Sequence, residues 1–435
     1  MSATLTLDIT DDLIDKPRHI QAAGLAAGEA KLTADFSHAD GSVWHSEASF
    51  LITDTGRLDL HRDSPLSGDW QGIEPMGAVW ALRQISPPTN PLLTESLATR
   101  DITLTITDSQ GSQAQASLVQ HLVAADVSRQ IVRERGLSGT LFTPPGDGPF
   151  PLIIVLNGSG GGTPEQRAAL LASRGYQSLA LAYFKAPGRP DYISRTPLEY
   201  FQQALDWAAE ILRPANGFIA VVGHSRGGEL ALLLGAIFPQ HISAVIGYVP
   251  SDVVHGTLRA GHPDEQRDAI AWTWQGQALV NIWQNNPAAD WHAFDNPPRP
   301  QAPIRQAPAF VSVENSPEHL AAARIPVERI AGPLLLISGS DDGFWPSTAY
   351  CERIVATLAR HHHGWPVEHV GNAGAGHAIN FPFIPTTQIA NLHPMAGVVI
   401  DGGGTAAANA RANQYSWQRV LHFLATATAA HKVKT

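Results

Sequence analysis

Five short, predominantly apolar segments in the second part of the chain constrain its fold more strongly than any other feature of the sequence. Runs of this length without polar alternation are typical of strands that are buried on both faces of a parallel sheet. The segments are residues 151–156, 177–183, 218–222, 242–249 and 334–338.

Helix-start signals lie between these segments. Residues 163–166 and 196–199 have the sequences Thr-Pro-Glu-Gln and Thr-Pro-Leu-Glu, the pattern of a capping box with proline at the first helical position. Gly175 and Pro214 are placed to end the two helices. Because strands alternate with helices, we predict a parallel α/β sheet with right-handed crossovers.

Residues 1–128 follow a different pattern. Ile102, Leu104 and Ile106 alternate with threonines, and the sequence Asp-Ser-Gln-Gly at 108–111 then turns the chain. Threonine-rich alternation broken by turn residues is typical of antiparallel hairpins with one buried face. We therefore predict an N-terminal β-sandwich domain over residues 1–128 and an α/β domain over residues 129–435.

An irregular stretch at about residues 252–325 interrupts the α/β pattern. It contains Trp272, Trp274 and Trp283 and a proline-rich part at 297–308. We expect a cap-like insertion over the C-terminal edge of the sheet, where ligands bind in α/β folds.

Charge and cysteine content exclude several classes of protein. The chain has 29 Lys and Arg against 39 Asp and Glu, a net charge of −10, which argues against a nucleic-acid partner. Its one cysteine, Cys351, excludes an intrachain disulfide and a cysteine-built metal site. The N-terminus lacks a basic region and a long apolar run, and no segment is long enough to cross a bilayer. We therefore expect a soluble, cytoplasmic protein.

The strongest motif is Gly223-His-Ser-Arg-Gly227, which follows an apolar segment and precedes a helical pattern. In a Gly-x-Ser-x-Gly turn between strand and helix, the small residues allow a sharp turn that exposes the serine hydroxyl. The pattern predicts Ser225 as a nucleophile, and the alternative is a tight turn with an inert serine.

A base and an acid follow Ser225 in the order expected of an α/β-hydrolase. Asp342 follows the last of the five apolar segments, and His377 follows residues 367–370. His377 would take the Ser225 proton, and Asp342 would orient the imidazole. The position three residues after Gly339, the glycine that ends the strand, is Asp342, which we therefore favour over the adjacent Asp341. We expect Asp341 to cap the following helical turn or to contact solvent.

A glycine-rich loop at 157–162 follows the strand predicted at 151–156. The amide of Arg226 and amides of this loop would form an oxyanion hole, and the loop candidates are Gly158, Ser159 and Gly160. The loop lacks the Gly-Lys-Ser/Thr ending of a phosphate-binding P-loop. The glycines at 402–404 are interpreted as a surface loop, and the three histidines at 361–363 as a solvated helix end, so we expect no metal.

With these motifs in order, the chain resembles the type-I acyl-CoA thioesterase and bile acid-CoA:amino acid N-acyltransferase family. The resemblance implies a β-sandwich followed by an α/β-hydrolase domain, with Ser225, Asp342 and His377 as the triad and no cofactor. Thioesterases of this family are similar in using serine, whereas the transferases use cysteine, so Ser225 favours hydrolysis. The segments that carry the resemblance are 70–80, 157–162, 167–175, 179–183, 198–201, 223–230, 325–329 and 340–342.

Two departures from the family pattern bear on the site. Gly343-Phe344-Trp345 replaces His-Asn-Trp after the two aspartates, and residues 252–310 match poorly. Because residues 252–310 belong to the expected cap, the sequence does not identify the acyl group of the substrate.

The expected substrate is a small-molecule acyl thioester or ester. Basic residues that should follow strands could bind the phosphates of CoA, and tryptophans of the irregular stretch could line an acyl pocket; the alternatives are ordinary surface charges and core packing. The phosphate candidates are Lys185 and Arg259, together with Arg189 and Arg195, and the pocket candidates are Trp272 and Trp274, together with Trp283.

Four functions compete at this point. A thioesterase would release acid and CoA, and an acyltransferase would pass the same acyl group to an amine or alcohol. An esterase or peptidase would use the same groups on other substrates, since the fold does not fix the reaction. A non-catalytic binding module would not need a complete Ser, Asp and His set. Nothing in the sequence fixes an oligomeric state.

Overall fold

The five apolar segments form strands of one eight-stranded sheet in the computed structural model, which describes residues 2–89, 97–299 and 302–432. Side chains of these strands are buried throughout, as expected for a sheet covered on both faces. In spatial order the strands are Ser128–Val132, Gly139–Thr143, Gln177–Leu181, Leu152–Leu156, Ile219–His224, Ala244–Tyr248, Leu334–Gly339 and Val367–Asn372.

Numbered along the chain, these strands lie in the order 1-2-4-3-5-6-7-8. The strand Gly139–Thr143 pairs in antiparallel fashion with both of its neighbours, Ser128–Val132 and Gln177–Leu181, and all later neighbours pair in parallel. The predicted parallel α/β sheet is thus confirmed, and this half of the chain has the α/β-hydrolase fold. The longer helices that accompany the sheet are Glu165–Ala172, Glu199–Trp207, Arg226–Ile237, Ser347–Arg360 and Ala406–Lys432.

The predicted capping boxes are wrong in both places. The first helix begins at Glu165 without a side-chain cap, and the Glu165 carboxylate bonds to Arg129 and to the hydroxyl of Thr140. The second helix begins at Glu199, after Thr196–Pro197 has paired as an extended segment with Trp272–Trp274. Tertiary hydrogen bonds therefore replace the local caps.

Residues of the N-terminal part form two sheets. The predicted alternation is confirmed, since Ile102, Leu104 and Ile106 are buried while Thr103 is exposed. A three-stranded sheet contains Thr4–Leu7, Ile20–Ala23 and Arg57–Asp59. A seven-stranded sheet contains Asp11–Leu13, Gln113–His121, Arg100–Thr107, Gly28–Ser37, Val43–Ile52, Ser67–Gly68 and Arg83–Ser86.

The described residues group into two compact units. The first takes residues up to Ala124 together with Asn380–Ile389 and Thr405–Gln414, and the second takes the rest. The late segments join the first unit through backbone contacts such as the Thr386 N–H donating to the Trp80 carbonyl at 3.0 Å. Nothing in the sequence had indicated that these two late segments belong to the first unit. No helix in the described parts of the chain is long and apolar enough to cross a membrane.

Residues 252–325 lie in the second unit and contain only short elements. Their aromatic side chains pack into a cluster in which Trp283 and Phe310 contact each other and His255. The elements are the strands Trp272–Trp274 and Gln277–Ala278 and the helices His292–Asp295, Ala307–Val313 and Pro317–Ala322.

His255 is buried at the centre of this cluster. Its ring stacks on Trp345 at 5.2 Å, its Nδ1 accepts the Trp283 indole N–H at 2.8 Å, and its Nε2 donates to Ser251 Oγ at 3.1 Å. Burial, together with the nearby charge of Arg226, lowers the pKa of His255 well below its usual value. The imidazole is therefore neutral in the folded protein.

We predict that His255→Phe makes the melting temperature less dependent on pH between about pH 7 and about pH 5. In the unfolded wild-type chain His255 takes up a proton near pH ~6.5, whereas the buried ring does not. The wild type therefore loses stability as the pH falls, by up to about 1.4 kcal/mol per pH unit for this one group.

The measurement is the melting temperature of both proteins across this range, with His361→Phe at an exposed position as the matched control. The phenylalanine variant loses two hydrogen bonds and will be less stable at every pH, so the comparison concerns only the pH dependence. Identical pH dependence in wild type and His255→Phe would show that this histidine titrates normally when folded.

Candidate active site

Ser225 lies at a sharp turn between the strand Ile219–His224 and the helix Arg226–Ile237. Its backbone has φ of 58° and ψ of −120°, a conformation that is costly for a residue with a side chain. The turn is possible because Gly223 and Gly227 have no Cβ. A Cβ at Gly223 would lie 1.8 Å from the Gly227 carbonyl oxygen.

A chain of hydrogen bonds connects the three residues predicted as a triad. His377 Nδ1 donates to both carboxylate oxygens of Asp342 at 2.9 Å, so the His377 Nε2 is free to accept the Ser225 hydroxyl at 2.7 Å. Ser225, Asp342 and His377 are all buried, with 7%, 6% and 4% of their surfaces exposed. The structure thus brings together three side chains that are 117 and 35 residues apart in the sequence.

Further contacts fix Asp342 and His377. Asp342 Oδ1 also accepts the backbone N–H groups of Phe344 and Trp345, at 2.9 and 3.3 Å. The Phe344 ring stacks on the imidazole of His377 with 4.2 Å between centroids and 10° between planes. Phe344 is one of the two departures from the family sequence, and it covers one face of the candidate base.

Asp341 makes separate contacts. Its Oδ1 pairs with Arg305 at 2.7 Å, and its Oδ2 accepts the Gly404 N–H at 2.8 Å. The hydrogen bond from Arg305 lowers the pKa of Asp341, against a smaller opposing effect of burial. Of the two alternatives expected for Asp341, a cap on the next helical turn is wrong, because Asp342 accepts the amides that follow. Contact with solvent is confirmed, since 46% of the Asp341 side chain is exposed.

The glycines at 402–404, interpreted from the sequence as a surface loop, are largely buried against the triad loops. The Gly402 carbonyl accepts the backbone N–H groups of both Gly343 and His377, at 3.0 and 2.8 Å. A Cβ at Gly403 would lie 1.8 Å from the Asp341 carbonyl oxygen, so only glycine fits there. The interpretation is wrong because these contacts come from residues far away in the sequence.

The loop at 157–162 lies against the nucleophile. A Cβ at Gly158 would be 3.3 Å from Ser225 Cβ, but the Gly158 N–H already donates to Asn157 Oδ1 at 2.9 Å. By contrast, within the described residues no group accepts the backbone N–H of Ser159, Gly160 or Arg226. These three amides, and not that of Gly158, are available to a substrate oxygen.

Two neutral histidines flank the site: His224, which belongs to the Gly-x-Ser-x-Gly turn, and His393, which no sequence signal had indicated. His393 Nδ1 accepts the backbone N–H groups of Met395 and Ala396, so its Nε2 carries the proton and donates to Ser159 Oγ at 2.8 Å. Burial lowers the pKa of His393 to about 4. His224 is partly buried, and its desolvation lowers its pKa well below the usual value; its Nε2 donates to the His377 carbonyl at 3.1 Å.

A buried ion pair lies directly after the nucleophile. Arg226 Nη1 pairs with Glu229 at 3.0 Å, while its Nη2 donates to the Gly256 carbonyl at 2.6 Å. Burial raises the pKa of Glu229, and the charge of Arg226 opposes that effect. Trp272 completes the cluster because its indole N–H donates to Glu229 at 2.9 Å.

The predicted pocket tryptophans lie in packed surroundings. Trp272 has no exposed surface, and Trp283 is buried and stacks on Trp291 at 4.6 Å. Trp274 is partly exposed and packs edge-to-face on Phe238 at 5.1 Å. Their contacts are those of core residues, and they do not open onto a cavity around Ser225 in this structure.

The predicted phosphate-binding residues do not form one cluster. Arg259 pairs with Asp295 at 3.4 Å, and the Arg189 guanidinium covers the Tyr200 ring at 3.9 Å. Arg195 is exposed on a separate segment. Only Lys185 contacts the surroundings of the glycine-rich loop, since its Nζ donates to the Pro394 carbonyl at 3.2 Å.

Comparisons with known proteins identify the family of this chain. Residues 196–430 match the family described as BAAT / Acyl-CoA thioester hydrolase C terminal, and residues 15–134 match the Acyl-CoA thioester hydrolase/BAAT N-terminal region. Acyl-coenzyme A thioesterase 6 of Mus musculus is 30% identical over 97% of this chain and 96% of its own. Bile acid-CoA:amino acid N-acyltransferase of Homo sapiens is also 30% identical, with the same coverage.

The motifs quoted from the sequence had indicated the same family, and that inference is confirmed. Both family regions are present in the expected order, and the relatives align over nearly their whole length. This chain therefore belongs to the acyl-CoA thioester hydrolase and bile acid-CoA:amino acid N-acyltransferase family.

Proposed function

We propose that this protein is a serine thioesterase that hydrolyses acyl-CoA to a free acid and CoA through an acyl-serine intermediate. The observation that carries the proposal is the hydrogen-bonded series from Ser225 through His377 to Asp342, with the serine at a strained turn. A serine hydroxyl is a weak nucleophile at neutral pH and needs a base of this kind. Relatives named as acyl-CoA thioesterases support the choice of substrate class.

In the first half of the reaction Ser225 Oγ attacks the thioester carbonyl while His377 Nε2 takes its proton. Asp342 keeps the Nδ1 of His377 protonated and stabilises the imidazolium that forms. The proton then passes to the leaving sulfur, and the C–S bond breaks to release CoA. In the second half His377 activates a water molecule, which frees the acid from Ser225.

The oxyanion formed in each half is assigned to the amides of Arg226, Ser159 and Gly160. Each of these N–H groups is without a protein acceptor among the described residues, and the loop that carries two of them lies against Ser225. Amides that are fixed before the reaction stabilise developing charge at little reorganisation cost. We therefore remove Gly158 from the predicted oxyanion-hole donors and keep Arg226, Ser159 and Gly160.

Serine, and not cysteine, is the proposed nucleophile. Cys351 lies in the helix Ser347–Arg360, where it has no exposed surface. Burial raises the pKa of the Cys351 thiol well above its usual value, so the thiolate does not form at neutral pH. Cys351 is thus not available for the thiol chemistry of an acyltransferase.

We also propose the finer architecture of the two parts. The two sheets of the first unit support a β-sandwich over residues 1–128, ahead of a catalytic domain over 129–435. The aromatic cluster of residues 252–325, together with the hydrogen bond from Arg226 to the Gly256 carbonyl, supports a cap-like insertion that contacts the turn at Ser225.

Of the residues predicted to bind the CoA phosphates, we retain Lys185.

The function is tested by incubating the purified protein with acyl-CoAs of varied chain length, with and without glycine or taurine. Mass spectrometry of the products distinguishes the reactions. Free acid and CoA support the proposal, and N-acyl amino acids would instead identify an acyltransferase. Activity on simple esters alone would identify an esterase, and failure of Ser225 to react with diisopropyl fluorophosphate would contradict every serine mechanism.

We predict that Ser225→Ala lowers kcat by about 10⁴-fold or more, because the nucleophile is lost while the turn is retained. The assay follows thiol release from the best acyl-CoA of the panel. Ser173→Ala, at the end of the helix Glu165–Ala172, is the matched control and should retain wild-type activity. Thiol release by Ser225→Ala at more than a few per cent of the wild-type rate would contradict the assignment.

The two adjacent aspartates give a second prediction. Asp342→Asn keeps the shape of the side chain but can donate to the imidazole and favour the wrong tautomer, so kcat should fall by about 10⁴-fold. Asp341→Asn weakens the contact with Arg305 and should leave kcat within a few-fold of wild type. The cost to stability should be about 1 kcal/mol or less, because the ion pair is partly exposed. If Asp341→Asn lost activity and Asp342→Asn retained it, the acid that orients His377 would be Asp341 and not Asp342.

A further inference from the structure

We propose that the three-stranded sheet of the first unit carries a site for a divalent transition metal ion such as Zn²⁺, formed by His19, Asp59 and His61. His19 immediately precedes the strand Ile20–Ala23, and Asp59 ends the strand Arg57–Asp59. These strands are antiparallel neighbours, so two residues that are 40 positions apart in the sequence lie side by side.

The distances between the prospective ligand atoms suit one ion. His19 Nε2 lies 2.9 Å from Asp59 Oδ1, and His61 Nδ1 lies 4.0 Å from the same oxygen. All three ligand atoms are within 4.8 Å of one another. Two ligands bound tetrahedrally at about 2.0–2.1 Å would be roughly 3.3 Å apart, so small side-chain adjustments would complete the site.

The carboxylate is already ionised and oriented. Burial acts to raise the pKa of Asp59, but hydrogen bonds from Gln21, from the His61 backbone N–H and from His19 outweigh it and lower the pKa to about 2. Gln21 Nε2 donates to Asp59 Oδ2 at 2.9 Å, which leaves Oδ1 facing the two histidines. The carboxylate therefore needs no further deprotonation in order to bind a cation.

The donor set indicates the class of metal. Two imidazole nitrogens and one carboxylate oxygen favour Zn²⁺, Ni²⁺ or Cu²⁺, whereas Ca²⁺ and Mg²⁺ prefer oxygen ligands alone. The side chains of His19 and His61 are 38% and 44% exposed, so an ion can enter and keep water at its remaining position.

The proposed role is structural. An ion held by residues 19, 59 and 61 would tie together two strands that otherwise pair over only three residues, Gln21–Ala23 with Arg57–Asp59. Because the ion would bind the folded unit and not the unfolded chain, it should raise the melting temperature. The proposal is independent of the function proposed for Ser225, and its test needs no activity.

The test uses the full-length protein without a histidine tag, treated with a chelator and then titrated with Zn²⁺ by calorimetry. We expect one equivalent of Zn²⁺ to bind and the melting temperature to rise, and Co²⁺ should give the visible absorption of a low-coordinate nitrogen and oxygen site. His61→Ala should weaken Zn²⁺ binding at least about tenfold and abolish the thermal shift. Asp59→Asn, which keeps the side-chain shape, should have the same effect even if His61→Ala folds poorly.

His45→Ala is the matched control, because His45 belongs to the same unit and pairs with Asp35 at 2.8 Å without a second histidine. It should bind Zn²⁺ as the wild type does. The proposal is overturned if the wild type binds no stoichiometric Zn²⁺, if Asp59→Asn binds as tightly as the wild type, or if His45→Ala loses binding to the same extent. In those cases the three side chains are a hydrogen-bonded cluster only.

Discussion

The strained turn at Ser225 is the constraint on which the rest of the catalytic half depends. A residue with φ of 58° persists only where its surroundings hold it, and here the surroundings include backbone atoms of two neighbouring segments. A Cβ at Gly227 would lie 2.4 Å from the Asn157 carbonyl oxygen, and one at Gly228 would lie 3.0 Å from that of Tyr248. The turn is therefore packed between the glycine-rich loop and the end of the next strand. The same close packing that forces the strain also brings the loop amides to the nucleophile.

The buried pair of Arg226 and Glu229 connects this turn to residues 252–257. A buried ion pair repays the cost of removing two charges from water only when its remaining donors and acceptors are satisfied, and most of them are satisfied here. Arg226 donates to the carbonyls of His255 and Gly256, and Glu229 accepts the indole N–H of Trp272 and the His255 N–H. Loss of one partner would leave an unpaired buried charge, at a cost of about 3–5 kcal/mol. The irregular region is thus fixed at its first residues to Arg226, the residue that follows Ser225, and Trp272 packs against the same ion pair.

Sequence reasoning found those parts of the site that have a local signal. The apolar segments predicted the central strands because burial on both faces leaves no polar alternation, and glycines at fixed spacing around Ser225 predicted the turn. Other parts had no such signal. The glycines at 402–404 are required by contacts with Asp341 and His377, and the Gly158 amide is occupied by a side chain one residue away. The helix starts at 165 and 199 were misplaced because tertiary partners took the groups that a local cap would have used. Contacts between residues distant in sequence decided these points, except at Gly158, whose amide bonds to the side chain of its neighbour Asn157.

The candidate base shows how such distant contacts prepare the site before any substrate binds. Asp342 accepts the Nδ1–H of His377, and the Gly402 carbonyl accepts the His377 backbone N–H. The His377 carbonyl accepts a hydrogen bond from His224 Nε2. Phe344 covers one face of the ring, and Trp345 meets it edge-on at 5.8 Å. An imidazole held in this way has little freedom to rotate, so its Nε2 remains directed at Ser225 and less entropy is lost when the transition state forms. Phe344 stands where the family often has asparagine, and an apolar ring there also keeps water from that face of the base. The stacked ring of Phe344 thus contributes to the fixed orientation of the His377 imidazole.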